Sequence, residues 1–408
     1  MKKKIKIFSA ILLLFSLILP LHACLSPVSL DAYGYVISIG VDRGRDKRYY
    51  FTLALQRELS EPGTEHEGGA AILASEGDTL DEAVTEIEGG VPFTLSFSRT
   101  SVFIFSRETA ESGDMEDVLS LSFDSMKIRP SASICVSECE AYRFIGGLTA
   151  NNDANIRKLQ EAVMLDQEKT GMVTLSPVSR MFESVREGGF DYCAALGECS
   201  DDIITDMAQK KAENDGEDPL KDVEIGDRVG GLKSYVSGAA LFSGWRMTGS
   251  LTRDDTMYLN IACGSFENGS VTIPCTGGDG EEGSITIILS AMLLERDMRI
   301  EGGKPFAVVK VRLAAGIHGK PASLTLEETE AVIEDTAARL VERRLHEVFM
   351  KCIEARSDAM RFGTDAVKLF GSYDAWRAYG WKSHYPDLEA CFEVQIMCTD
   401  KLTSGDLQ

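Results

Sequence analysis

Val36-Ile37-Ser38-Ile39-Gly40-Val41 is a β-branched run, the polar stretch Asp42 to Asp46 interrupts it, and Tyr49 to Leu55 resumes the β pattern. Two such runs around a polar loop predict a hairpin. Thr64 to Ala70 is rich in Gly and Glu and reads as a loop. Thr79 with Glu82 forms a capping-box pattern opening a short helix that stops at Gly89-Gly90. Ser101 to Phe105 predicts a compact buried strand, Met115 to Phe123 a helix, and Ser131 to Val136 another strand. A further helical stretch opens at Asp153 and runs through Leu159, Val163 and Leu165. Ser176-Pro177 predicts an N-cap followed by proline at the first helical position, in a helix ending at Gly188-Gly189.

From Ser200 to Asp227 acidic and amide residues dominate, which predicts a linker or a long excursion between two folded parts. Beyond it, Tyr235 to Leu241, Met257 to Cys263, Ser270 to Ile273, Ser284 to Leu294 and Phe306 to Ala314 predict strands. Thr325 with Glu328 starts the longest helix. Val332, Ile333, Ala337, Leu340, Val341, Leu345, Val348, Phe349, Cys352 and Ile353 recur on its inward face at three- and four-residue spacing. Trp376, Tyr379, Trp381 and Tyr385 follow, expected to cap the core against that helix, and Ala390 to Cys398 predicts a last strand. Strands and helices mix without strict βαβ alternation, so the expected fold class is α+β, multi-domain, with mixed or antiparallel sheets flanked by helices. The expected division is a signal peptide at 1–23, an N-terminal domain at 24–200, an acidic linker at 201–229 and a C-terminal region at 230–404. That last region has room for two subdomains, 230–282 and 283–404.

The first residues read differently. Lys2, Lys3, Lys4 and Lys6 precede the apolar run Ile7 to Leu19, and Leu21-His22-Ala23-Cys24 follows. As a helix that run rises only about 20 Å, against roughly 30 Å of hydrocarbon core. The segment therefore has the form of a secretory signal. Leu21, Ala23 and Cys24 fit a lipobox, in which a small residue precedes a cysteine that is diacylglycerated before cleavage. Cys24 is the one candidate site residue, for lipidation; the alternative is an ordinary signal peptide cut near Ala23, or an uncleaved anchor.

Charge sharpens this reading. The 408 residues carry 42 Lys+Arg against 64 Asp+Glu, a net charge of −22, with a mean hydropathy of −0.06. So acidic a chain lacks the basic footprint that phosphate binding needs, which argues against nucleic acid as a partner. It is also repelled by anionic lipid, more so once the signal lysines are removed. An acyl anchor then has to hold the body at a membrane, at about 0.8 kcal/mol per buried methylene.

Candidate chemistry is thin. Without Cys24 an odd number of cysteines remains: Cys135, Cys139, Cys193, Cys199, Cys263, Cys275, Cys352, Cys391 and Cys398. None forms a C-x-x-C pair, and the five histidines are scattered, so no metal site is expected. The thiols are expected to be small buried hydrophobes and not a disulfide framework. Gly278-Asp279-Gly280-Glu281-Glu282-Gly283 matches G-x-G-x-x-G as a string, yet three carboxylates occupy its variable positions and a strand follows it, so nucleotide binding is not expected. No Walker loop, nucleophile elbow or H-E-x-x-H is present. Neither catalytic residues nor a cofactor are expected.

Taken together, the landmarks resemble the Ger(x)C family, the lipoprotein C subunits of GerA-type nutrient germinant receptors of spore-forming bacteria. After the lipobox cysteine, Ile37-Ser38-Ile39-Gly40-Val41-Asp42 is similar to a first strand ending in Gly, an apolar residue and Asp. Glu76-Gly77 and Thr79 to Ala83 resemble the family's early helix start. Ser101 to Phe105, Ala110 and Ile128-Arg129 parallel its second strand, the following helix and a basic segment. Val236 to Phe242 and Met247-Thr248-Gly249 resemble a later element, and Asp358, Phe362-Gly363, Trp376 and Trp381 fall where the family ends. Ser98-Arg99, Arg361 and the lack of a tryptophan right after Cys24 depart from the pattern.

The resemblance implies a non-enzymatic protein, lipid-tethered to the outer face of the cytoplasmic (spore inner) membrane. Its implied partners are an integral-membrane A subunit and a transporter-like B subunit, and its implied role is protein–protein contact in germination signalling. The competing reading is a solute-binding lipoprotein that captures a nutrient directly, which would call for two parallel-sheet lobes around a cleft.

Overall fold

The computed structural model describes residues 33–56, 71–151, 163, 165–174, 177–199, 234–276, 282–321, 324–325, 329–330 and 332–398. Cys24, the signal segment, the loop at Thr64–Ala70, most of the helix expected from Asp153, the acidic stretch 201–229 and most of the Gly278–Gly283 string lie outside them.

The fold is α+β with two mixed sheets. In the first half come β1 (Tyr33–Arg43), β2 (Tyr49–Gln56), β3 (Ala71–Gly77), α1 (Leu80–Glu88), β4 (Thr94–Ser96), β5 (Val102–Ser106), α2 (Arg107–Ser112), α3 (Met115–Met126), β6 (Ser133–Ser137), α4 (Ala141–Asn151), α5 (Val178–Glu187) and β7 (Cys193–Cys199). The second half adds β8 (Ser234–Ser243), β9 (Arg246–Thr252), α6 (Arg253–Cys263), β10 (Asn268–Thr276), β11 (Glu282–Glu301), β12 (Lys304–Gly319), α7 (Ala338–Glu354) and β13 (Glu389–Cys398).

A nine-stranded sheet runs β3-β2-β1-β5-β6-β7-β8-β9, with β4 pairing beside β1. Its centre is parallel: β1 pairs β5, β5 pairs β6 and β6 pairs β7 in that sense. The predicted hairpin is present, with Arg43 opposite Tyr49 and Val41 opposite Phe51. Alternation along the central strands feeds two cores. Val36, Ile39, Val41, Phe103 and Phe105 pack with α1, α3 and α5 on one face. Ile37, Val102 and Ile104 meet α4 on the other. The sheet also spans the stretch expected as a linker, because β7 before it pairs antiparallel with β8 after it. The second sheet runs β10-β11-β12-β13. The long β11–β12 hairpin turns on Gly302 and Gly303, both at positive φ (60° and 89°), as a two-residue turn of the primed type requires.

Local signals succeed where a side chain closes them. Thr79 caps α1 by accepting from the Glu82 N–H at 3.2 Å. Glu82 reaches back to the Asp78 N–H instead of the Thr79 N–H, so only half of the expected box forms. The expected Ser176 cap is not the one used: Pro177 itself stands at the N-cap in extended conformation, bridging to Ser133, and Val178 opens α5. The strand expected at Met257–Cys263 is a correction of type, since these residues end α6. Thr252 and Asp255 make a reciprocal capping box there, and every residue from Asp255 to Ala262 is buried. A helix buried all round has no polar face, so its period is invisible in the sequence.

The longest helix is entered through a π-helical turn at Ile333–Ala337 and continues as α7, burying Val341, Leu345, Val348, Phe349 and Cys352. The prediction of unpaired thiols fails at one place. Cys139 and Cys199 form a disulfide across 60 residues, because the parallel pairing of β6 and β7 brings their Cα atoms to 6.3 Å. Of the other described cysteines, Cys135 and Cys352 are buried free thiols and Cys391 is an exposed one.

Candidate functional site

Each cluster of residues that carried the family resemblance has a physical task in the fold. In the first strand, a Cβ on Gly40 would stand 2.8 Å from the Ile145 side chain, so the glycine lets α4 settle on the sheet. Val41 enters the core on the opposite face. Asp42, buried, accepts from the N–H groups of Ala141 (2.7 Å) and Tyr142 (3.0 Å) and so caps α4. Burial pushes its carboxyl up from the usual range, against the pull of those two bonds. Glu76 accepts from the Arg45, Asp46 and Lys47 N–H groups, closing the β1–β2 loop. Those bonds hold its carboxyl low, the one from Arg45 most of all.

The C-terminal landmarks converge on one buried node. Asp358 follows α7, and its Oδ1 accepts from the Phe362 N–H at 2.8 Å. Its Oδ2 accepts from the Gly363 N–H and from the Trp381 Nε1–H, each at 2.8 Å. Gly363 has no room for a side chain: a Cβ would collide with the Gly189 carbonyl and lie 2.5 Å from Trp381 Nε1. Trp376 packs on Trp381 with ring centroids 5.9 Å apart, and Tyr385 donates to the Ser357 carbonyl. Trp376, Trp381 and Tyr385 share one core with α7, as the sequence predicts.

Asp191 and Lys382 belong to this node without any signal in the sequence. Asp191, buried between α5 and β7, exchanges backbone bonds with Asp358, 167 positions away: its N–H donates to the Asp358 carbonyl, and its Oδ2 accepts from the Asp358 N–H. Its Oδ1 accepts from the Gly244 N–H and pairs with Lys382 Nζ at 2.6 Å. The node therefore ties the end of α5, the β8–β9 turn and the segment after α7 into one joint.

The three hydrogen bonds to the Asp358 carboxylate all come from donors, which favours the ionised form, while burial, aided by the nearby Asp191 charge, favours the neutral one. Burial prevails and lifts the group to about 7. Both oxygens are committed and the residue is 1% exposed, so this carboxyl holds backbone in place and presents no face to a substrate. Among the described residues no group of three or more His, Cys, Asp or Glu could hold a metal ion. No helix among them is long and apolar enough to cross a membrane.

Residues 27–195 match a family model described as the spore germination protein N-terminal domain. Residues 237–399 match a second, spore germination B3/GerAC-like, C-terminal. With the fold and the node, these matches define a spore germination protein. More narrowly, the chain belongs to the Ger(x)C family. The crystal structure of the GerBC protein shares its fold, with a TM-score of 0.52 at 15% identity, over 89% of this chain and 97% of that one. No curated protein sequence matches it.

Proposed function

We propose that this protein is the lipid-anchored C subunit of a nutrient germinant receptor. A diacylglyceryl group on Cys24 holds it to the outer face of the spore's inner membrane. It acts there by contact with integral-membrane A and B subunits and not by catalysis. The observation that carries this reading is the tandem order of the two family matches, the first of which begins at residue 27, just after the lipobox cysteine. The acidic body gives it further support, since a net charge of −22 supplies no electrostatic hold on anionic lipid.

The test is affinity purification of the tagged protein from detergent-solubilised spore membranes. The A and B subunits are expected in the eluate at comparable amounts. Recovery of the protein alone, together with normal germination of spores that lack its gene, would overturn the proposal.

A further inference from the structure

We infer that the body carries a binding site for a small carboxylate, in a cavity of about 200 Å³ between α5, α6 and the turn that follows Asp358. Arg180, on α5, and Arg361, in that turn, both line it. Their guanidinium carbons lie 5.5 and 5.3 Å from the centroid of the same Phe190 ring, so one aromatic side chain gathers two like charges. Neither arginine has an ion pair among the described residues, and Arg361 Nε, shielded from solvent, has no hydrogen-bond partner. Contact with a ring face offsets only part of the cost of removing a cation from water. An anion placed between the two would offset far more.

The neighbouring polar groups cannot take that part. Asn260 spends its amide on the Gly171 and Val173 carbonyls, and its oxygen accepts from Ser265. Asp191 also borders the cavity, but its carboxylate already serves Gly244, Asp358 and Lys382. The two guanidiniums are the cationic donors in the cavity lining, and paired donors on a planar fork suit an oxyanion. Phe190, Leu259, Pro177 and Ala359 supply apolar wall, which suits a short hydrocarbon group and disfavours a fully polar ion. At about 30 Å³ per water, the space equals that of roughly six or seven waters.

Backbone geometry adds an independent mark. Arg361 sits at φ +66°, a region that non-glycine residues seldom occupy and that costs about 1 kcal/mol or more. A glycine there would relieve the strain, so the fold bears a cost to keep a guanidinium at this wall. The inference does not depend on the receptor role proposed above, and it can fail while that role stands.

The test uses the purified full-length protein in detergent, titrated calorimetrically at fixed ionic strength with isobutyrate, its neutral isostere isobutyramide, and inorganic phosphate. Isobutyrate should bind and isobutyramide should not. Arg361→Gly should weaken isobutyrate by about tenfold or more while leaving the unliganded melting temperature unchanged or raised, so lost binding could not be put down to misfolding. Arg180→Gln should weaken it similarly. Absence of isobutyrate binding, equal binding of isobutyramide, wild-type affinity in both variants, or tighter binding of phosphate than of isobutyrate would each overturn the assignment.

Discussion

Replacing Asp358 by asparagine keeps the shape of the node and removes its charge. Three N–H groups face the two oxygens of the carboxylate. The best asparagine orientation keeps its oxygen toward Gly363 and Trp381 and turns its NH₂ toward the Phe362 N–H. The protonated carboxyl present below about pH 7 can still accept there through its hydroxyl oxygen, whereas an NH₂ cannot, so one buried donor loses its acceptor at a cost of about 1–3 kcal/mol. The effect of pH runs the other way. Burial raises the folded-state value from 3.8 to about 7. Between those values the folded protein holds a proton that the unfolded chain has released, and the wild type loses stability as pH rises. The stabilisation is complete below about 4 and gone above about 7, at up to about 1.4 kcal/mol per pH unit. The variant lacks this dependence. Asp358→Asn should therefore be less stable than wild type at pH 5, and the gap should shrink by about 3 kcal/mol on going to pH 8, enough to cancel or reverse it. Urea unfolding of both proteins, followed by tryptophan fluorescence at pH 5, 6, 7 and 8, measures this directly. Every other titrating group is shared, so the difference between the two curves isolates the one carboxyl. Parallel pH profiles for the two proteins would refute the reasoning.

Gly363→Ala would drive a methyl into the Gly189 carbonyl and Trp381 Nε1 and should cost about 2–4 kcal/mol; an unchanged urea midpoint would count against the close approach. Asp255 is buried, and burial alone would raise its carboxyl, but Lys351 at 2.6 Å and Thr252 hold it below the usual range. Its contribution is thus present above about pH 4 and lost as pH falls through the lower folded value, so Asp255→Asn should cost about 1–2 kcal/mol at pH 7 and progressively less under acid. A cost that stays constant down to pH 3 would disprove that sign. Cys24→Ala should move the protein from the membrane pellet to the soluble fraction, since it removes every acyl chain at once; a variant that stays in the pellet would mean that another anchor exists.

The β1–β2 hairpin, the Thr79 cap and the burial stripe of α7 were legible because each rests on contacts between near neighbours. Two-residue alternation, an oxygen three positions before an N–H, and recurrence every three or four residues are local facts that survive any tertiary setting. Near the C-terminus the order Asp358, Phe362-Gly363, Trp376 and Trp381 was visible, but its meaning was not. Nothing in the string announces that one carboxylate will gather Phe362, Gly363 and Trp381 around it.

What only the tertiary structure decided shares one cause: the deciding partner lies far along the chain. Met257 to Cys263 reads as a strand by composition and is a helix because packing surrounds it on all sides. Cys193 to Cys199 has weak strand character and becomes β7 because β6 and β8 flank it. Asp191 and Asp358 meet across 167 positions, and Arg180 and Arg361 share a ring that neither adjoins in sequence. Periodicity and capping are properties of a segment, so the chain alone determined most elements and the lipobox-like pattern that motivates the proposal at Cys24. Burial of charge is a property of surroundings, so the node, the disulfide and the cationic cavity belong to the folded molecule.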